Sequence, residues 1–286
     1  MLGRHWREED RLGVARFYAV TLRSWRPWLG VVLLLAAALA AWRGEEPVLA
    51  PASVPLVAGL DARKPVYVVP VQERLISFAV NVDWGDEYLP GMLSVLAERG
   101  VRVTFFPTGR WAAGRPELLR RMVEGGHELG NHGYRHDHPK ALTDQQLAEL
   151  IVRNRELLAE LAGVQTVLFA PPYGEVDPRI VRIAAETGHW TIMWTVDTVD
   201  WRRPPPETIV QRVLSRVQPG AIVLMHPTAP TLAALPVILD RLLSEGWRVV
   251  PVGELLAAAA PRSATTGLAG ERRTAAAVSP ATAPGA

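Results

Sequence analysis

The stretch FAVNVDWGDEY, residues 78–88, alternates Phe78, Val80 and Val82 with Ala79, Asn81 and Asp83, the period of two that marks a β-strand. It ends in Asp83, Asp86 and Glu87 beside Trp84 and Gly85, which reads as the rim of an active site. Asn81 is out of place there. A hydrolase wants an ionisable oxygen at such a strand end, and a carboxamide takes up no proton at neutral pH.

Outward from this first strand, placed at 76–80, the pattern alternates. Strand-like runs fall at 101–106, 128–131, 167–170, 191–196, 221–225 and 248–251. Helical patterns lie between them, at 90–99, 116–124, 144–161, 178–187, 206–216 and 232–245. Several open with proline in the first turn, where its missing N–H costs nothing, and Gly100, Gly188 and Gly246 follow last turns as capping glycines do. Such alternation implies an α/β fold with a parallel sheet, open or closed as a barrel, with chemistry at the C-terminal strand ends.

The chain has 286 residues, no cysteine and a formal net charge of +2. Disulfides and cysteine-type zinc sites are excluded, while a histidine–carboxylate metal site is not. The charge is uneven: residues 1–28 carry six Arg against three acids, which leaves −1 for the rest and gives no case for nucleic-acid binding. Residues 1–26 read as a basic cytoplasmic arm before an uncharged run, Pro27–Trp42. At about 1.5 Å per residue that run spans ~24 Å, slightly short of a ~30 Å bilayer core. It is expected to be a transmembrane signal-anchor, with a cleaved signal peptide or a buried soluble helix as alternatives. Either of the first two places the remainder outside the cytoplasm, at the cell membrane or secreted. Residues 43–72 read as a linker, 73–257 as the folded domain, and 258–286 as a disordered tail poor in large apolar side chains.

Four motifs carry chemistry. NHGYRHDHP places His132 and His136 four residues apart, on one face of a turn as a metal needs, with His138 outside that spacing. WTVDTVDW delivers Asp197 and Asp200 with Trp201, and GAIVLMHP ends an apolar run in His226, where a general acid or base would be mounted. APPYG adds a rigid Pro171–Pro172 turn before Tyr173 and Gly174. Each alone also fits a bland reading: loop histidines, a solvated acid pair, a histidine closing the sheet. In order, they form a metallohydrolase layout. His5, His127 and His189 read as structural or surface residues.

The series NVDWG, NHGYRH, APPYG, DTVDW and LMHP resembles the five motifs of the polysaccharide deacetylases, carbohydrate esterase family 4, over about residues 74–257. The resemblance implies a distorted (β/α) barrel that binds a divalent metal, most often zinc, through one Asp and two His. It implies removal of N-acetyl groups from N-acetylglucosamine in peptidoglycan or chitin-like polymers. By position, His132 and His136 match the metal histidines. His226 matches the histidine that protonates the departing amine, and Asp200 the acid that orients it. Trp201 and Leu224 match the acetyl groove, with Pro171 and Tyr173 in the third motif, where Tyr173 offers a backbone N–H to the oxyanion. Sporulation-type members have similar first motifs, so a spore-wall setting is a further expectation.

Two positions break the pattern. The family's first motif pairs two adjacent Asp, a general base and a metal ligand. Counted from Val80, Asn81 holds the base position and Asp83 must supply the metal carboxylate. Counted from Gly85, Asp83 is the base and Trp84 replaces the ligand. The first count is the one expected here. In the third motif Ala170 stands where the family has an Arg that pairs with the base. An Arg left without its carboxylate would be a costly unpaired buried charge, so loss of both partners is chemically coherent. The implied protein is a metal-dependent N-deacetylase, or alternatively an impaired relative that binds glycan or shapes the spore wall.

Overall fold

The computed structural model describes residues 60–259, and β1 (Leu75–Val82) is the strand around which it is built. All eight of its residues are buried. Ile76, Phe78, Val80 and Val82 enter the main core under the helices, while Leu75 and Ala79 enter a second cluster on the opposite face. Asn81 therefore shares the inner face with Ala79, at the C-terminal tip.

After β1 the order is α1 (Leu89–Glu98), β2 (Thr104–Pro107), α2 (Gly109–Gly114), α3 (Pro116–Glu124), β3 (Glu128–Leu129), α4 (Asp144–Ala162) and β4 (Leu168–Phe169). Then come α5 (Pro178–Glu186), β5 (Trp190–Thr191), β6 (Val196–Asp197), α6 (Pro206–Leu214), β7 (Ile222–Met225), α7 (Ala229–Ser244), β8 (Arg248–Val249) and α8 (Val252–Ala258). One sheet runs β3-β2-β1-β7-β6, with β8 also on β1, and β4-β5 form a second; every pair is parallel. Single bridges link the two, Asn131 to Phe169 on one side and, on the other, the segment at 66–68, through Val66 to Ile192 and Val68 to Ala221.

The run expected as one strand at 191–196 is two short ones. Met193 N–H goes to Val66 O at 2.8 Å and Thr195 N–H to Ile222 O at 3.0 Å, so the chain changes partners halfway. Local pattern carries no such information, since both halves are apolar. Two helices were not expected, α2 and α8, with six and seven residues; each is too short to show a helical period. Tertiary caps hold them. Thr108 Oγ1 accepts from Trp111 N–H, while at α8 Val252 N–H donates to Thr104 Oγ1 at 2.7 Å and Gly253 N–H to Glu128 Oε2 at 2.9 Å. Glu128 is half-buried, and its desolvation pushes the carboxyl above the usual range.

Among the described residues no helix is long and apolar enough to cross a membrane. The expected anchor at 27–42 lies outside the described residues, as do most of the linker, nearly all of the tail, and His5.

Two buried histidines outside the cavity contribute to the acid sensitivity of the domain. Burial first, and Arg102's charge second, lower His127 to about 4, and its Nδ1 accepts from Val103 N–H at 3.2 Å. Burial, then Arg155's charge, lower His189 to about 4. A folded-state pKa below the unfolded ~6.5 means that the unfolded chain binds more protons between the two values. Stability is thus complete above ~6.5 and is lost as pH falls toward 4, by about 3 kcal/mol per histidine once the native pKa is passed. Urea unfolding at pH 5 is expected to take up roughly two protons from this pair, a slope of about 2–3 kcal/mol per pH unit. A flat profile from pH 7 to 5 would contradict it.

Candidate active site

A cavity of about 410 Å³ opens at the C-terminal ends of β1, β6 and β7, lined among others by Asn81, Asp83, His132, His136, Leu224 and His226. Aromatic rings wall it: Trp84, Tyr173, Trp194 and Trp201.

The best-built part surrounds His226, just beyond β7. Its Nδ1 lies 2.8 Å from Asp200 Oδ1, and its own backbone N–H donates to Asp200 Oδ2 at 2.6 Å. Thr231 Oγ–H donates to the same Oδ2 at 2.6 Å. A carboxylate only accepts, so Nδ1 carries the proton and Nε2 is left free. Asp200 is wholly buried and fully hydrogen-bonded. It is aimed by a strained turn: Val199 has φ 55, rare for a β-branched residue, and its N–H is held by Asp197 Oδ1 at 2.7 Å. Thr231 lies in the first turn of α7, where Thr228 caps the helix and the two hydroxyls are 2.8 Å apart. Since Thr231 gives its proton to Asp200, Thr228 is the donor between them.

The opposite part is looser. His132 and His136 come together as expected, ring centroids 4.9 Å apart. His132 Nδ1 is 2.6 Å from Ala170 O, so it carries the proton and Nε2 is the free lone pair. Burial, then the neighbouring His136, lower His132 to about 3, and burial likewise lowers His136 against the opposing pull of Asp83. His132 is thereby a neutral imidazole, the form that binds a cation. Asp83 lines the same cavity but is engaged elsewhere, accepting from Thr108 Oγ–H at 2.6 Å with Arg110 Nη2 at 3.8 Å. Among the described residues no three His, Cys, Asp or Glu side chains form a group that could hold a metal ion. The residues present offer a cation two imidazoles and do not fit the three-ligand set.

Asn81 is 5% exposed and its Oδ1 has no hydrogen-bond partner. Val82, between Asn81 and Asp83, packs wholly in the main core. The expected count, from Val80, puts Val82 at the ligand position and has Asp83 supply the carboxylate in its stead; Val82 faces away from the cavity, while Asp83 lines it and accepts from Thr108. The count from Gly85 avoids this and puts Trp84, which does line the cavity, at the ligand position. Either way the site is one group short.

The remaining expectations divide. Trp201, Leu224 and Tyr173 line the cavity, Tyr173 with φ 58. Pro171 is buried and is not among the lining residues; its carbonyl closes the turn by accepting from Gly174 N–H at 3.1 Å. Ala170 is buried against the inner cluster. His138 is exposed as expected, yet it stacks on Tyr173 at 3.7 Å while Glu175 holds its Nδ1 at 2.9 Å. Thr231 and Trp194 were missed as site residues, and Trp84 was read only at the rim and, counted from Gly85, in place of a ligand. For Thr231 a signal existed: Thr228 and Thr231, straight after His226, have the spacing of a helix cap.

The family model described as polysaccharide deacetylase matches residues 70–192. An uncharacterized Bacillus subtilis protein, YlxY, is 37% identical over 193 residues, covering 68% of this chain and 60% of that one. A peptidoglycan-N-acetylglucosamine deacetylase of Bacillus cereus is 31% identical over 194 residues, covering 66% and 91%. The chain thus spans less than two thirds of the first of these relatives. Among solved structures, wild-type BA3943, described as a carbohydrate esterase family 4 pseudoenzyme from Bacillus anthracis, is similar at TM-score 0.67 and 36% identity, covering 69% and 70%. A mutant of it, described as having restored enzymatic activity, gives TM-score 0.67 and 35% identity, covering 69% and 72%.

Proposed function

We propose, because this chain belongs to the polysaccharide deacetylase family, that its cavity receives N-acetylglucosamine units of cell-wall glycan and hydrolyses their acetamides slowly or not at all. The family acts on amide carbon–nitrogen bonds; a binding role with impaired hydrolysis is the reading for this member. One observation carries it: the proton-donating half of the site is complete, and the half that should activate water is one group short. The likeness to a pseudoenzyme supports the same reading, as does the lone carboxamide of Asn81.

In this reading the acetamide sits with its nitrogen toward His226, whose Nε2 first takes up a proton from the attacking water or from solvent and then passes it to the departing amine, while Asp200 holds the ring at Nδ1. Leu224 and Trp201 receive the acetyl methyl. A divalent metal, zinc before others, is what the family would supply to polarise the amide, and His132 and His136 are the residues that would contact it. Asn81 takes up no proton, and Asp83 is tied to Thr108 and Arg110. The two bridged sheets are taken as one distorted barrel, and the segment at 27–42 as the anchor that keeps the domain at the outer membrane face.

The test is acetate release by the full chain, with and without added zinc, from peptidoglycan and N-acetylglucosamine oligomers. Release at least 100-fold below the Bacillus cereus relative, with retained binding, is expected, since lost base catalysis alone is worth about 10²–10⁴. Turnover within tenfold of that relative would overturn the proposal.

A further inference from the structure

Trp84 has no place in the chemistry above, yet it is held more firmly than its position in a loop requires. Its ring lies parallel to the His226 imidazole, interplanar angle 5°, centroids 5.9 Å apart. Gly85 follows at φ 85, against Pro227; a Cβ there would run into the Pro227 carbonyl oxygen and stand 2.8 Å from Pro227 Cγ. Asp86 is fixed in turn by Trp111 Nε1–H at 2.6 Å and by the Arg115 guanidinium. Gly85 O accepts from Tyr88 N–H at 3.0 Å, closing the turn. The loop is thus pinned on both sides of the indole, and the indole remains 39% exposed at the cavity wall.

A large apolar ring left exposed loses the gain of burial, and a rigid one loses little entropy when a ligand covers it. Such a surface suits a flat apolar partner. A β-linked glucosamine-type pyranose presents one, because its ring substituents are equatorial and its axial hydrogens make an apolar face. We propose that Trp84 is the stacking platform for a pyranose ring of the bound glycan, and so a specificity-determining residue of this cavity. This rests on the glycan reading above. Trp201, 50% exposed, and Tyr173, 56% exposed, give further aromatic wall at the same mouth.

The experiment is calorimetric titration of the full chain with chitotetraose, for wild type, Trp84→Ala and Trp84→Phe, with thermal melts and tryptophan emission recorded for each. Trp84→Ala is expected to weaken binding about 10- to 100-fold without a matching fall in melting temperature. Trp84→Phe should stay within about threefold, because a phenyl ring stacks as well, and should show a smaller sugar-induced emission change, Trp194 and Trp201 remaining in the wall. Unaltered affinity in Trp84→Ala overturns the proposal and leaves the glycan reading standing. So does a Phe variant as weak as the Ala variant, which would point to an indole N–H hydrogen bond. Absence of wild-type binding at millimolar chitotetraose overturns both.

Discussion

Trp84→Asp is expected to bind zinc at close to one ion per chain, where the wild type holds it weakly and loses it on dialysis. Two imidazoles, His132 and His136, line the cavity already, His132 with its Nε2 free, and zinc sites are completed by a third and fourth ligand. Trp84 lines the same cavity, and an Asp there adds a short oxygen ligand in place of a ring. The gain in affinity should be about 100-fold or more, because the two imidazoles already sit side by side. Metal content after dialysis measures it without any assay of turnover. Asn81→Asp is the contrasting variant: it places a buried carboxylate with Ala170, not an Arg, in the third motif, and is expected to lower stability by about 1–3 kcal/mol with little zinc gained. If Asn81→Asp takes up zinc or restores acetate release and Trp84→Asp does neither, the count from Val80 is right after all.

Gly85→Ala is expected to lower the stability of the domain by about 3–5 kcal/mol and to abolish chitotetraose binding with it. Two penalties combine: a left-handed backbone, about 1–2 kcal/mol for a residue with a Cβ, and a collision with main-chain atoms of Pro227 that have no rotamer to escape into. Gly100→Ala separates the two. Gly100 has φ 60 but nothing within 4 Å of the added carbon, so only the first penalty applies. Urea midpoints of both variants, measured side by side, should therefore differ severalfold in their shift. Equal shifts would mean that the Gly85 loop yields easily, which would also remove the basis for a rigid Trp84.

Much of this was legible in the sequence where the cause is local. The period of β1, the prolines opening α3, α5 and α6, and the spacing of His132 and His136 are all decided within a few residues. His226 stood out because a polar residue ended an apolar strand. What escaped is decided by distant partners. The division of 190–197 into β5 and β6 depends on Val66 and Ile222. α8 starts where it does because Thr104 and Glu128 supply acceptors from over a hundred residues away. That Asp83 is spoken for by Thr108 and Arg110 is invisible in a motif, and so is the outward turn of Val82 until its packing is known. Motif order identified the layout; only packing revealed which member of it is disengaged.

The hydroxyl of Thr231 does two jobs, closing the opening turn of α7 with Thr228 and bracing the Asp200 carboxylate. Dismantling the proton donor would therefore fray a helix and strand a charge inside the protein, whereas Asn81 and Asp83, at the tip of β1, are braced by fewer partners. Drift under selection for a folded shape alone would retire the second group and spare the first. An intact histidine–aspartate couple in a chain built this way is then a mark of foldedness, and is no diagnosis of turnover.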